Sequence, residues 1–404
     1  VTYDVLDGVR VVELSMYAFA PSCAAVLADW GADVVKVVPP EHADPMLGTP
    51  VAALPDVDVG VAFMWEQLNR GKRCIGVDVS TPDGRAVLLR LVAGADVFVT
   101  NLLPGARQRF GLEPEDLFAA NATLVYGRAT GHGDKGPERH LGGYDMTDFW
   151  ARSGIGHAAS QVSDEFVPLA GPALGDLTSG AFLAGGIAAA LFRRERTGRG
   201  AVVDVSLLSS GTWVLAPGIV ASQLYGVDTI PRFPHAQAPN PMVNVYATRD
   251  RRLIYISGIQ TEADFARFCT AVGRDDLLAD PRFATAGGRL AHAAECVAVL
   301  DALFAQHDLT EWTALLARMA TPWMAVQTAA EAAADVQVAA NGYVVGVEGA
   351  TRRYPLVASP AQFDGAPPRL RPAPGHGEHT DEVLAELGFG TDEVLRLKEL
   401  GAVL

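Results

Sequence analysis

The chain has 404 residues, of which 49% are hydrophobic and 20% charged, with 32 lysines and arginines against 47 aspartates and glutamates for a formal charge of −15. That is ample apolar material for a packed core, and the length suits two to three domain-sized units. The acidic balance excludes a general nucleic-acid binder, which needs a basic field, but leaves room for a local basic patch around a polyanionic small molecule.

Mean hydropathy is +0.17, yet no segment reads as a membrane span. The most apolar stretch, TSGAFLAGGIAAALF from Thr178 to Phe192, runs straight into Arg193, Arg194, Glu195 and Arg196. It is shorter than the roughly 18 apolar residues a span requires. From Val1 onward there is no basic, apolar and cleavage sequence of a leader. Cys23, Cys74, Cys269 and Cys296 form no close pair of the kind that binds zinc or works as a redox couple. The expected placement is the cytoplasm, with unpaired thiols.

Along the chain, VRVVELS at 9–15 reads as a buried strand, and Pro21 opens a helix that stops near Gly31. Further strands are expected at 34–38, at 72–80 ahead of a helix begun by Thr81-Pro82, near 96–103 and at 123–130. A long Ala/Gly-rich helix near 178–196 ends at Gly198 and precedes a strand at 201–209. Gly185-Gly186 inside that helix costs about 1 kcal/mol per glycine relative to alanine, which close packing of another backbone would offset. Alternating strands and helices predict an α/β layer with a largely parallel sheet. The four prolines within 226–242 mark a change of character. Beyond them come an antiparallel pair turning at Thr248 to Arg251, then helical sequence over 261–334. This divides the chain into a large domain at 1–225, a smaller one at 226–335, and a segment at 336–404 that returns to the first.

The turn Ser15-Met16-Tyr17-Ala18-Phe19-Ala20-Pro21 has neither GxGxxG nor GKS/T, which argues against dinucleotide or P-loop chemistry. The histidines at 132, 140, 376 and 379 lack metal-ligand spacing and read as loop or surface residues. No GxSxG elbow is present. The segment GHGDKGPERHLGGYDMTDFWARSGIG at 131–156 is more informative. Asp145 follows Gly142-Gly143-Tyr144 and opens a helical run, where backbone donors would keep a carboxylate ionised. The residues alone leave two readings open, a helix cap or a reacting group. Asp176 poses the same choice ahead of the long helix, and Asp148 reads as structural. Basic residues beside turns, Arg70, Lys72, Arg73, Arg107 and Arg109, are either solvated surface or phosphate contacts. Asn101 ends a predicted strand, where α/β proteins place ligand-binding groups.

Taken together, GVRVVELS with ADWGADVVKV, LNRGKRCIGVDVSTPDGR, NLLPGARQRFGL, GGYDMTDFWARSG, GDLTSGAFLAGGIAAALFRRERTGRG with VDVSLL, and GEHTDEVLAELGF resemble the class III coenzyme A transferases, the CaiB/BaiF family. The resemblance implies a Rossmann-like large domain made from both chain ends, a smaller α+β domain, and two subunits interlocked as a homodimer. It implies that Asp145 is the nucleophile, and that Ala18, Asn101, Lys72 or Arg73, and Arg109 help to hold coenzyme A. Acyl-CoA and small carboxylic acids would be the substrates, with no metal or nicotinamide cofactor and no nucleic-acid or membrane partner. Two departures imply redistributed phosphate contacts: VVPPEHADP lacks the arginine the family often has just after the second strand, and NLLPG carries Leu103 where the family's Asn-Phe-Arg-Pro-Gly form has arginine. PRFPHAQAPNPMVN lacks the glycine-rich loop of formyl-CoA transferases, which disfavours formyl transfer to oxalate. The rival within the family is an α-methylacyl-CoA racemase, which places histidine before the aspartate where this chain has Tyr144. A tyrosine with an ordinary pKa near 10 is a poor proton carrier. A non-catalytic acyl-CoA-binding protein is the rival outside enzymology, and the presence of Asp145 counts against it.

Overall fold

The computed structural model describes residues 3–48, 54, 59–319 and 322–404. They divide into two compact units, one from 1–157, 166–229 and 336–404, the other from 158–165 and 230–335.

The larger unit is built on six parallel strands: β1 (Arg10–Leu14), β2 (Asp33–Val38), β3 (Arg73–Gly76), β4 (Val97–Thr100), β5 (Val125–Thr130) and β6 (Ala201–Ser206). Their order is β3-β2-β1-β4-β5-β6, with Val11 of β1 in register with Val34 on one side and Val97 on the other. This is the Rossmann-like doubly wound order, and it reverses direction between β1 and β4. Helices α1 (Phe19–Asp29), α2 (Phe63–Asn69), α3 (Pro82–Ala93), α4 (Pro104–Phe110) and α5 (Pro114–Ala120) supply the crossovers. Thr81 caps α3 by accepting from the Gly84 amide at 3.0 Å, with Pro82 following in the first turn. A wide, π-type helical segment, Asp145–Arg152, comes before α6 (Ile155–Ser160), α7 (Leu174–Thr197), α8 (Leu207–Val214) and α9 (Ala216–Tyr225).

Both sheet faces are covered, so the strands carry continuous apolar runs. On one face Val11, Val34, Val97 and Val125 pack with Phe19 and Cys23 of α1 and Leu183, Ala184 and Ile187 of α7. On the other, Val12, Val35, Ile75 and Phe98 pack with Val87 and Leu88 of α3 and with Val383, Leu384 and Leu397 from the returning segment.

At 24 residues, α7 is longer than the Thr178–Phe192 stretch suggested, and by length and composition alone it is apolar enough to cross a membrane. Its buried stripe instead lies in the core described above. The close backbone approach expected at Gly185-Gly186 occurs five residues earlier, at Gly180. A Cβ at Gly185 would meet nothing and one at Gly186 only the Val203 side chain. A Cβ at Gly180 would collide with Ser22 Oγ and lie 2.9 Å from the Cys23 amide of α1. The Ser22 hydroxyl bridges the two helices, donating to Phe19 O at 2.7 Å and to Asp176 O at 3.2 Å.

The returning segment contains α16 (Val336–Asn341), an antiparallel hairpin of β10 (Val344–Glu348) and β11 (Arg353–Val357), then α17 (Thr380–Glu386) and α18 (Thr391–Glu399). It is sewn to the sheet's β3 edge: His379 N donates to Cys74 O at 2.8 Å, Gly76 N to Thr380 Oγ1 at 3.0 Å, and Leu404 N to Gly76 O at 3.1 Å. The smaller unit holds the three-stranded antiparallel sheet of β7 (Asn244–Ala247), β8 (Leu253–Ile256) and β9 (Trp323–Ala325). Helices α10 (Glu262–Val272), α11 (Asp276–Ala279), α12 (Ala286–Ala291), α13 (Ala293–Phe304), α14 (Leu309–Leu316) and α15 (Ala329–Ala334) complete it, around a stack of Tyr246 on Phe304.

Beneath the end of β1 lies a fully buried ionic group. Lys36 of β2 contacts Glu13 at 2.9 Å and Asp44 at 3.1 Å, while Lys72 contacts the other Glu13 oxygen at 2.6 Å. Burial pushes the Glu13 carboxyl upward, but the Lys36 and Lys72 ammoniums overcome this and hold it at about 2. Two cations and two anions leave the group neutral, the condition for tolerating charge in a core.

Two stability predictions follow from this packing. Gly180→Ala should lower unfolding free energy by about 1–3 kcal/mol, read as an earlier denaturant midpoint with unchanged far-ultraviolet dichroism. Glu13→Gln leaves two buried ammoniums undercompensated and should cost about 3–5 kcal/mol at neutral pH. Because the folded Glu13 pKa is depressed, its contribution is fully present above pH 4.5 and is lost as pH falls towards about 2. Equilibrium unfolding across that range should show this component in the native chain and not in the variant.

Candidate active site

The turn between β1 and α1 sits at the point where strand order reverses, the usual ligand crevice of an open α/β sheet. Asn101, just past β4, holds it in place: the side chain accepts from the Met16 amide at 3.2 Å and donates to the Met16 carbonyl at 2.7 Å. Tyr17 follows with φ of 67°, a left-handed conformation that costs a non-glycine residue roughly 1–2 kcal/mol. Asp44 steadies it further, accepting from the Tyr17 amide at 3.3 Å. The buried ionic group therefore reaches this turn directly through Asp44. The Tyr17 ring meets the Tyr144 ring edge-on, with centroids 6.1 Å apart.

Tyr144 leads into Asp145, the first residue of the π-type segment. Asp145 is only 7% exposed and is aimed at the amino terminus of α7. Its Oδ1 accepts from the Gly175 amide at 3.0 Å, and Oδ2 is buried without a hydrogen-bond partner. Burial raises its pKa, while amide donors at Gly175, Asp176 and Leu174 oppose the rise. The end of a helix favours the anion through both its free N–H groups and its dipole. A Cβ at 175 would strike Phe149 and Asp145 Oδ1, so the carboxylate fills space that only glycine leaves open. Ala173, immediately before α7, is a second non-glycine residue at positive φ, 63°. Two strained residues thus flank the same site, as is common where structure holds reacting groups in place.

The Asp176 side chain projects from the first turn of α7. Burial, and then the neighbouring Asp145 charge, push its pKa up to about 7. Asp148 plays a different part: it accepts from the Tyr144 amide at 3.0 Å and from Thr147 Oγ1 at 2.8 Å, and it pairs with His132. These contacts fix the 131–148 loop from within.

A cavity of about 360 Å³ is bounded by Tyr17, Asn101, His132, Arg139, Tyr144 and Asp176 together with apolar side chains, and Asp145 is not among its lining residues. A second, of about 210 Å³, lies at the carboxyl ends of β1–β4 and is bounded by Ser15, Val37, Pro39, Val79, Ser80 and Phe110. Met16 and Leu102 border both.

The residues expected from the sequence are distributed unevenly around these spaces. Asn101 lines the larger cavity, but its side chain is spent mainly on Met16. Ala18 is buried with Leu68 and Ala173 and borders neither cavity. Lys72 is directed inward: its Nζ reaches Glu13, Pro21 O at 2.9 Å and Asn69 Oδ1 at 3.0 Å. Arg73 is paired with Asp33 and Glu386. Arg70 is paired with Asp29, and Arg107 with Glu113 and Asp134. Arg109 has no ion pair among the described residues and lies over the ring of Phe110. Phe149 is core, and Trp150 donates to Val167 O at 2.9 Å. Sequence reasoning passed over Tyr17 and Arg139. Nothing in a local pattern marks a tyrosine for positive φ, and Arg139 reads as one more loop charge.

The model of CoA-transferase family III matches residues 6–380. The (R)-2-hydroxy-4-methylpentanoate CoA-transferase of Clostridioides difficile is 30% identical over 403 residues, covering 98% of each chain. The succinate–glutarate CoA-transferase of Agrobacterium fabrum is 32% identical over 387 residues, covering 95% of each. The crystal structure of a CAIB/BAIF family protein from Brucella suis superimposes with a TM-score of 0.81 at 31% identity, covering 95% of this chain and 99% of that one. By its sequence along nearly the whole length and by its fold, the chain belongs to CoA-transferase family III.

Proposed function

We propose that this chain moves coenzyme A from an acyl-CoA to a free carboxylic acid through covalent intermediates on Asp145. The observation that carries this reading is the Asp145 carboxylate itself: enclosed, held on one oxygen by the end of α7, and without a partner on the other. Attack of a carboxylate oxygen on the thioester carbonyl gives a mixed anhydride and the coenzyme A thiolate. The thiolate then attacks Cγ of Asp145, leaving a β-aspartyl thioester and releasing the first acid. An incoming carboxylate opens that thioester, and the thiolate captures its acyl group. Each step exchanges one activated acyl group for another, so little energy is lost. The amides at 174–176 that hold the carboxylate are placed to polarise the Asp145 carbonyl once it is acylated.

The two spaces that share Met16 and Leu102 suit a long, bent ligand. The smaller, at the sheet's switch point, fits the nucleotide end, and the larger fits the thioester end. Arg109, beside Phe110, is the phosphate contact this arrangement favours, because Lys72 and Arg73 are already paired. Asn101 supports the site by shaping the Met16 turn. The exposed apolar side chains of Trp213, Leu224 and Tyr225 on α8 and α9, 71–79% accessible, support an interlocked homodimer that covers them. Four buried, unpaired cysteines agree with a cytoplasmic setting.

The racemase reading draws on His132, which lines the larger cavity. It is weakened by the pairing of that imidazole with Asp148 and by Tyr144 before Asp145. Mass spectrometry of the protein incubated with acyl-CoA should find a coenzyme A-sized adduct on Asp145. Asp145→Ala should abolish both the adduct and transfer, and unimpaired transfer would refute the assignment. Labelled acids should acquire coenzyme A in a donor-dependent manner. Solvent deuterium entering Cα without such movement would establish the racemase instead.

A further inference from the structure

The wall of the larger cavity constrains the acyl group that can occupy it. Most of that wall is apolar, with Met16, Phe19, Leu102, Leu103, Leu141 and Leu207 contributing. Phe19 and Leu207 belong to the core, whereas Leu103 and Leu141 are exposed. Tyr17, from the β1–α1 turn, and Tyr144, from the glycine-bearing loop, add two aromatic rings to the same wall. The rings meet edge-on, with centroids 6.1 Å apart. Neither is used to fill the core, for Tyr17 is 40% exposed and Tyr144 61%.

The Tyr17 ring is kept there at a cost. Its φ of 67° is one that glycine adopts freely and tyrosine does not. Asn101 on the Met16 backbone and Asp44 on the Tyr17 amide maintain it. Glycine would serve a turn that needed only this backbone shape, so the strain points to a use for the side chain. Burial and then the neighbouring Tyr144 raise the Tyr17 pKa above its ordinary 10, so this phenol is uncharged at neutral pH. The other ionisable side chains bordering the cavity are His132, Arg139 and Asp176. His132 is paired with Asp148, and the exposed Arg139 donates to His140 at 3.1 Å. A second carboxylate on the acyl group would thus meet one solvated cation, the Asp176 carboxyl and otherwise apolar surface.

Resting on the transferase reading, we propose that the acyl group this chain transfers carries an aromatic ring, and that Tyr17 and Tyr144 are the residues that select it. An aryl group against the two tyrosines gains edge-to-face and offset contacts that an aliphatic chain cannot make. It also removes the exposed Leu103 and Leu141 side chains from water. At about 360 Å³ the cavity is of the size that encloses a compact organic ligand, and a short acyl group would leave most of its apolar wall wet. The rings bind the acyl body and take no part in bond making or breaking.

The experiment pairs each acyl-CoA with its own isotopically labelled free acid, so that a single acyl group is tested, and follows label into the acyl-CoA. Native kcat/KM should be roughly 10²-fold higher for 3-phenylpropanoyl-CoA than for propanoyl-CoA or succinyl-CoA. Tyr17→Ala and Tyr144→Ala should each lower that ratio by roughly 3–10-fold, chiefly through KM for the aryl donor. Tyr17→Phe and Tyr144→Phe keep the rings and should hold the ratio within about twofold of native. Tyr17→Gly separates the ring from the turn. It suits the positive φ, so it should melt above Tyr17→Ala, yet it should lose as much selectivity.

A native chain that exchanges propanoyl or succinyl groups as well as 3-phenylpropanoyl overturns this inference and leaves the transferase reading standing. So does a preference for succinyl-CoA that Arg139→Ala removes, or a Tyr17→Gly chain that keeps the native ratio. A coenzyme A-sized adduct on the chain without aryl exchange also overturns this inference alone. No exchange with any of the three donors, and no such adduct, overturns the transferase reading and this inference with it. Should the alanine variants fail to fold, the ratios of Tyr17→Gly and of the two phenylalanine variants decide the matter.

Discussion

Glu13, Lys36, Asp44 and Lys72 cancel one another's charge in a place water does not reach, and much of the large unit is arranged to allow this. Glu13 comes from β1, Lys36 from β2, Asp44 from beyond β2, and Lys72 from just before β3. Ser15 and Pro21 add a hydroxyl and carbonyls that use the remaining donors and acceptors. Removing any one charge would leave its partners stranded in low dielectric. The group thus fixes where three adjacent strands end relative to one another, and through Asp44 it fixes the turn in which Tyr17 is held at positive φ.

The same economy of partners governs the second half of the site. The first turn of α7 offers its free amides to a single carboxylate, and Gly175 lets that carboxylate come close enough to accept them. Ser22 and Gly180 hold α7 against α1, so the helix end and the β1–α1 turn cannot move independently without breaking that contact. Two carboxyls one residue away from each other's support end up in unequal surroundings. One is supplied with helix-end amides that offset part of its burial, and the other faces the cavity without a compensating charge.

Much of this was legible in the sequence. Buried parallel strands show as runs such as VRVVEL and VVKVV, and Thr81-Pro82 marks a helix start by its capping chemistry. The Ala/Gly helix was visible too, although its close contact falls at Gly180, because an isolated glycine and a glycine pair look alike until their faces are known. Asp145 stood out through its motif. The roles of the basic residues were not legible: LNRGKR reads as exposed charge, and only the fold shows that Lys72 meets Glu13, fifty-nine positions earlier, inside the core. Asp176 was visible as a helix-start aspartate, but its unequal pairing with Asp145 depends on which amides point where.

The return of the chain to its first sheet has a consequence for the order in which the protein is made. The β3 edge is covered by α17 and α18, and Gly76 receives its partner from Leu404. On the ribosome, strands β1–β6 emerge first and wait through the whole synthesis of the 230–335 unit before their covering helices exist. During that interval one face of a parallel sheet is partly bare, and its β3 edge is open to wrong pairing. The smaller unit, continuous apart from 158–165, faces no such delay. The lifetime of an unfinished sheet during translation is therefore a hazard separate from the stability of the finished one.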